Sequence, residues 1–575
     1  MERFFDDRSD QFLESRHYTS WQLVKAYWQS EQRFPAYVFF SIVIIMTISL
    51  VGLDVVFNYW YNYFYNALQA YDQHGAIRLL VVFFVLAAFY MVLAVYRYYI
   101  SQLFSLRWRR WLTEQFIGRW LEKRGYYLLE NFDEVTDNPD QRIQEDVGSL
   151  ISYSIDLSMG LISAITTFLA FIYILWQLSG DVTFKMPWGV ITISGYLVWV
   201  GVLYAVIGTI ITIKLGRPLI SLNFEQQRRE ATFRYAAVDL RSHAEHVALY
   251  RGEQHEKSIL RRLFSRVLDN WYLIILRQKL LLWFTAGYNQ TAVVLPLLVA
   301  LPNYFDKVFL LGGLMQSIRA FGSVQESLSF MVNSYTQVAQ WQAIARRLTT
   351  FVNHLSDAEE QAGKENKLVF EKHAKNSILT ENVMVKTPKQ KLLSRINEEF
   401  IHGKNYLLQG PSGIGKSTFL RALAGIWPYA AGKAIFPKHQ RVMYLPQKPY
   451  MPIGTLSEAI LFPDKNDPEF EKALPDILRI CRLEHLIPRL LETAPWFEQL
   501  SPGEQQRVTF ARVLLHKPDW IFLDEATSML DLANEEYLYK ALKKEIPQCS
   551  LISIGHRPSL SAYHDHVVDM SKYVS

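Results

Sequence analysis

"LQGPSGIGKSTFL", residues 408–420, decides the fold of the second half of this chain. Gly410, four residues, then Gly415-Lys416-Ser417 is the spacing of a loop that wraps phosphates. Glycines let the backbone turn tightly, so that successive N–H groups across Gly410, Ser412, Gly413 and Gly415 point at phosphate oxygens. The helix that begins at Lys416, Ser417 and Thr418 adds the positive end of its dipole. Lys416 is placed to reach the β- and γ-phosphates and Ser417 to ligate Mg²⁺. "KNYLLQ" before the loop reads as the strand and "STFLRALAG" after it as the helix. The plainer alternative is a glycine-rich turn ahead of an ordinary helix.

"DWIFLDEATS", residues 519–528, sets an apolar strand directly before Asp524 and Glu525. A carboxylate at the C-terminal end of such a strand suits Mg²⁺ beside a phosphate loop. Glu525, one residue on, suits a general base that polarises an attacking water. The competing reading is a strand ending in a solvated acidic turn.

The first half is of another kind. At 575 residues the chain is too long for one hydrophobic core, and half its residues are apolar while a fifth are charged. Apolar runs of membrane-spanning length fall at 36–57, 79–100, 161–178, 193–213 and 280–301. A sixth, at 308–334, carries Arg319 and Glu326. Arg and Lys crowd 100–155 and 214–279 and are sparse in the other connections. Both basic stretches, both termini and the second half are therefore expected in the cytoplasm, with the membrane helices extended beyond the lipid. Residues 1–34 hold no apolar leader, and their mix of arginines and tryptophans suits an interfacial segment. The expected layout is 1–34 interfacial, 35–345 transmembrane, 346–375 linker and 376–575 an α/β nucleotide-binding domain. Two cysteines give no sign of a disulfide framework. A net charge of +5 gives no reason to expect a nucleic-acid partner.

"LSPGEQQRVTFARVLL", residues 500–515, resembles the signature of ATP-binding cassette (ABC) proteins, with Pro502 where a second glycine usually stands and Glu504 where glutamine often does. The resemblance extends to Gln447 in "YLPQKPY", Asp531 in "SMLD" and His556 in "LISIGHR". It implies that Gln447 senses Mg²⁺ and water, that Ser501 and Gly503 contact nucleotide, that Asp531 faces another subunit and that His556 contacts the γ-phosphate. The aromatic that commonly stacks on adenine is replaced by Thr387 and Pro388. In that family the phosphate loop of one subunit faces the signature of the other. A chain with one of each is then expected to be a half-transporter working as a homodimer, an ATPase that uses ATP and Mg²⁺.

"NYWYNYFYNALQAYD" (58–72), "LRWRRWLT" (106–113) and "RREATFRYAAVDLRSHAEHVALYRGE" (228–253) resemble the SbmA/BacA-related bacterial transporters, of the YddA type that carry a cassette. That implies a six-span protein of the bacterial inner membrane moving a solute such as a peptide or cobalamin. A more distant similarity, centred on "AEHVALYRG" with His246 as a departure, is to peroxisomal acyl-CoA half-transporters, which makes a lipid or acyl-CoA carrier the alternative cargo reading. A membrane-bound regulator that binds ATP without transport is the other alternative. In the sixth span Gln316, Arg319, Ser323, Glu326 and Asn333 fall on one helical face. Such a face suits either a wet cavity or an interhelical polar seam.

Overall fold

The computed structural model describes residues 17–132, 139–179, 181–186, 189–388, 390–464 and 468–574. The interfacial reading of 1–16 and the side chain of Asn333 lie outside the described residues. The chain divides into two compact units, Met1–Ser356 and Asp357–Ser575.

Among the described residues the helices of ten or more residues in the first unit are α1 (Ser20–Gln29), α2 (Arg33–Gln69), α3 (Gln73–Leu121), α4 (Val147–Ser179), α5 (Tyr196–Ser242), α6 (Glu253–Phe305), α7 (Leu311–Asn333) and the start of α8 (Tyr335–Glu365). Helices are the form an open chain takes in lipid, because they satisfy their own backbone N–H and C=O groups. Among the described residues α2 to α6 are long and apolar enough to cross a membrane. The sixth span is α7: its 23 residues reach across hydrocarbon, but its polar side chains keep it from being apolar enough on composition alone. It packs against α2, α4, α5 and α6, which buries Gln316 but leaves Arg319 and Glu326 exposed. An antiparallel hairpin, Asp181–Met186 with Gly189–Ser194, occupies the start of the expected fourth span, and α5 begins only at Tyr196.

The basic stretch 214–279 runs along helical extensions of α5 and α6, while the described part of 100–155 continues α3 only as far as Leu121. At about 1.5 Å per residue, α5 with 47 residues and α6 with 53 run about 70 and 80 Å, against about 30 Å of hydrocarbon. Beyond the lipid they are pinned together by Asn270, whose amide donates to the Gln226 carbonyl oxygen at 2.9 Å and to the Leu222 backbone at 2.9 Å. Arg229 donates to the Arg266 carbonyl, and Phe233 meets Phe264 with ring centres 5.5 Å apart. The exposed segment Ala244–Tyr250, which carries His246, is a short helix in the turn between them.

α1 docks through Leu23, Val24 and Tyr27, with Tyr27 stacked on Trp108 of α3 at 5.1 Å. The stretch 346–375, expected as a linker, is helix through Glu365 and then strand Lys367–His373. Leu348, Phe351, Val352 and Leu355 form a buried apolar stripe on α8, and Phe351 stacks on Phe116 of α3. The charged residues between them hide that stripe in the sequence.

A ladder of amides fastens α2 to α7. Asn58 donates to the Gln316 backbone oxygen at 3.2 Å, Asn62 to the Gln316 side chain, and Asn66 to Asn62 at 2.7 Å. The Gly312 N–H donates to Asn66 at 2.8 Å. Gly312 permits this approach: a Cβ there would stand 2.0 Å from the Asn62 carbonyl oxygen.

Among the described residues the second unit holds two five-stranded sheets and a small two-stranded one, Gly454–Thr455 with Thr493–Ala494. The parallel core sheet comprises β1 (Tyr406–Gln409), β2 (Val442–Leu445), β3 (Trp520–Asp524), β4 (Ser550–Ile554) and β5 (His566–Asp569), in the order β5-β1-β4-β3-β2. Parallel strands are covered on both faces and read as continuous apolar runs, as "WIFL" does in β3. A second, mostly antiparallel sheet is built from Ser377–Lys386, Lys391–Ile396, Glu399–Ile401 and Ala430–Pro437, with Lys367–His373 alongside.

Gly312→Val should force α2 and α7 apart, costing about 1–3 kcal/mol and lowering the thermal midpoint in detergent. Gly52→Ala, where an added Cβ meets nothing within 4 Å, should leave it unchanged.

Candidate functional site

The ends of β1 to β4 bring six of the expected residues together. β1 runs into the loop 410–415 and then α9 (Lys416–Leu423). Gly415, the residue before α9, sits at φ +109°, and a Cβ there would press on Leu392 at 3.0 Å, so glycine is required on both counts. Gly410, Ser412 and Gly413 form the rest of the loop, with Ser412 and Gly413 exposed, while Thr418 is half-buried on α9. Lys416 is nearly buried, and its ammonium donates to the loop's own carbonyls, Gly410 at 2.7 Å and Pro411 at 2.9 Å. Burial holds its pKa below the usual lysine value, against the opposing pull of Glu525 and Asp524.

The Ser417 hydroxyl donates to Asp524 Oδ1 at 2.7 Å, tying α9 to the end of β3. Burial pushes the Asp524 carboxyl up, and the Ser417 hydrogen bond and Arg421 pull it back. Glu525 adopts φ +48°, an uncommon conformation for a side-chain-bearing residue. That turn aims its carboxylate between two others: Gln447, just after β2, donates to Oε2 at 2.8 Å, and His556 Nε2, just after β4, lies 3.5 Å from Oε1. Beside this cluster a cavity of about 440 Å³ is lined by Ser417, Arg421, Gln447, Lys448, Tyr444 and Asp524. The oxygen donors of Ser417, Asp524 and Gln447 fit Mg²⁺, which keeps water and phosphate oxygens as most of its ligands. Among the described residues no group of three or more His, Cys, Asp or Glu stands together for a metal.

Ser501, Gly503 and Asp531 stand apart from that cluster. Ser501 caps α10 (Pro502–His516), accepting from the Glu504 N–H at 3.3 Å while the Glu504 carboxylate accepts from the Ser501 N–H at 2.9 Å. Pro502 occupies the first turn, where its missing N–H costs no helical bond. Glu504 also meets His485 at 2.8 Å. Asp531 caps α11 (Leu532–Glu545) by accepting from the Asn534 N–H at 2.7 Å, and that hydrogen bond holds its carboxyl below the usual range. Among the described residues no hydrogen bond joins Ser501 or Gly503 to the phosphate loop.

Three residues that sequence reasoning passed over hold these parts in place. Arg557, next to His556, donates to the carbonyls of Ser528 at 2.9 Å and Leu530 at 2.8 Å. Gln506 of α10 accepts from the Met529 N–H at 3.0 Å. Arg512, buried in α10, donates to the carbonyls of Ala459 at 2.7 Å and Tyr450 at 2.6 Å, in the segment that follows Gln447; burial lowers its pKa to about 10. Arg557 was signalled only by its position after His556. An arginine's reach is set by tertiary contacts that spacing does not reveal.

In the first unit the polar face of α7 is divided. Gln316 joins the amide ladder to α2, and Arg319 lies over the Tyr61 ring at 4.6 Å. Glu326, with Gln325 and Ser329, lines a separate cavity of about 420 Å³ shared with α5 and α6.

The pattern of the ABC transporter transmembrane region 2 family matches residues 23–305, and that of the ABC transporter family matches residues 393–528. The chain is similar to an uncharacterized ABC transporter ATP-binding protein of Haemophilus influenzae, 36% identical over 95% of this chain and 90% of that one. It is similar to the inner membrane ABC transporter ATP-binding protein YddA of Escherichia coli, 32% identical over 96% of both chains. It is also similar to ABC transporter D family member 2, chloroplastic, of Arabidopsis thaliana, 30% identical over 96% of this chain and 85% of that one. Among solved structures a bacterial Atm1-family ABC exporter with ATP bound shares the fold, with a TM-score of 0.69 at 17% identity over 92% of both chains.

Arg512→Met should strand two buried carbonyls, costing about 2–4 kcal/mol. The check is chemical unfolding of the purified protein followed by tryptophan fluorescence, with Arg512→Lys expected to recover part of the loss.

Proposed function

The chain belongs to the ABC transporters and is a multi-pass membrane ATPase coupled to transport, and on that premise we propose that two copies of it form a homodimer that hydrolyses ATP between them. The convergence of Lys416, Ser417, Asp524, Glu525, Gln447 and His556 at the strand ends carries this reading. Lys416 turns from its loop carbonyls to the β- and γ-phosphates, joined by the N–H groups across Gly410, Ser412, Gly413 and Gly415 and by Thr418. Ser417, Asp524 and Gln447 would hold Mg²⁺, which would supply charge neutralisation at the phosphates. Glu525 takes the proton of the attacking water, and His556 donates to the γ-phosphate.

Ser501, Gly503 and Asp531 serve the nucleotide of the second copy, which their separation from the cluster in one chain supports. ATP binds the closed arrangement better than the open one, and that difference drives the membrane helices between two states. The chain sits in the inner membrane of a bacterium with both termini cytoplasmic, as the basic helical extensions and the similarity to YddA support. Its cargo is hydrophilic, in keeping with a cavity lined by hydroxyls and amides. The similarity to a D family member favours a second reading, a lipid or acyl-CoA cargo.

Glu525→Gln should keep ATP binding and lower hydrolysis by about a hundredfold or more, read as phosphate release from purified protein; normal turnover would overturn the general-base assignment. Lys416→Ala and Ser501→Arg should each abolish hydrolysis alone. Co-expressed with different tags and purified through both, the mixed dimer has one intact composite site and should recover partial activity. No recovery in a verified mixed dimer would count against the shared site.

A further inference from the structure

We propose that the polar cavity among α5, α6 and α7 is a cargo subsite for a hydrophilic solute bearing a primary ammonium group, with Glu326 as its counter-charge. This deepens the hydrophilic-cargo reading and rests on it. Thr209 and Thr212 of α5, Thr285 and Asn289 of α6 and Gln325 of α7 line about 420 Å³ together with Glu326. That volume falls within the range of small-molecule sites.

The lining has two chemical parts. The Thr212 and Thr285 hydroxyls already donate to the Gly208 and Leu282 carbonyls and so offer lone pairs, while the amides of Asn289 and Gln325 both donate and accept, a lining that solvates a hydrogen-bonding body. Glu326 is the one charged residue among those lining the cavity, and it chooses a cation. A carboxylate in a membrane-spanning helix is costly unless it is paired or wet, so a ligand ammonium that replaces water there is well compensated.

Neighbouring cations do not fill the role. Arg319, two turns before Glu326 on α7, is over the Tyr61 ring at 4.6 Å, on the α2 side. Lys214 follows Thr212 by two residues, which turns it about 200° around α5. The wall beneath is firm: Tyr204 and Tyr288 stack with ring centres 4.3 Å apart, and the Tyr204 hydroxyl donates to the Tyr288 carbonyl. A highly anionic solute such as an acyl-CoA would meet Glu326 with like charge.

The test compares trialanine amide with a free N-terminus and the same peptide N-acetylated, whose cap removes the positive charge. Binding to the purified, nucleotide-free full chain is measured by equilibrium dialysis, with palmitoyl-CoA as a third ligand. The free amine should bind about tenfold or more tightly than the acetylated peptide. Glu326→Gln should erase that difference and Glu326→Asp should keep it. Glu326→Lys should reverse it toward the N-succinylated peptide, a gain that misfolding does not produce. Equal binding of the two peptides to the unaltered chain, undiminished discrimination in Glu326→Gln, or preference for palmitoyl-CoA would each overturn the proposal. Charge discrimination without ATP-driven uptake in proteoliposomes would instead defeat the transport reading and leave the subsite standing.

Discussion

The register of β3 between its two parallel neighbours sets where Gln447, Asp524, Glu525 and His556 fall. Leu523 lies opposite Leu445 on one side and Ser553 on the other, and Asp524 lies opposite Ile554. Three strands therefore end at one level, and the residues just past them, Gln447, Glu525 and His556, meet without any of them reaching. The fully buried Ile521, Phe522 and Leu523 hold that register, because a slip of one residue would turn each of them to the wrong face. The polar cluster is thus positioned by the apolar packing of β3.

Around this fixed centre the mobile-sounding parts are tied by hydrogen bonds to backbone carbonyls. Arg557 grips the turn 528–530 from one side and Gln506 from the other. Arg512 reaches from α10 to the segment after Gln447. Each link joins two pieces that are far apart in sequence, so a shift of α10 is felt at both the Gln447 segment and the turn that ends in Asp531. The membrane unit follows a different rule. There, polar groups that face protein find one another, as in the amide ladder from Asn58 to Gly312, while those that face a void keep their capacity for something else.

Much of this was legible in the residues. The phosphate loop, the acidic strand end and the spans announce themselves through local spacing and continuous apolarity, which need no knowledge of neighbours. The extension of α5 and α6 beyond the lipid was likewise legible, because long basic stretches cannot be bare loops. The stretch after 346 was misread because Leu348, Phe351, Val352 and Leu355 are interleaved with Arg347, Asn353 and His354, which dilute the stripe. The hairpin at 181–194 was missed beside the apolar run that begins at 193. For α7 the face was found but not its division, since one face of a central helix is shared among several neighbours, and only packing decides which polar group meets which.

Lys416 has a price of entry built into it. Its ammonium is already satisfied by two carbonyls of its own loop, and any guest has to offer more than they do. A lone inorganic phosphate brings one cluster of oxygens and little else to outbid them. A nucleoside triphosphate brings a chain of anionic oxygens that would engage the lysine, the loop amides and the end of α9 at once. On the proposed reading the loop would discriminate by the length of the polyphosphate before anything reads the base, which suits a chain that carries Thr387 and Pro388 where a stacking ring would be.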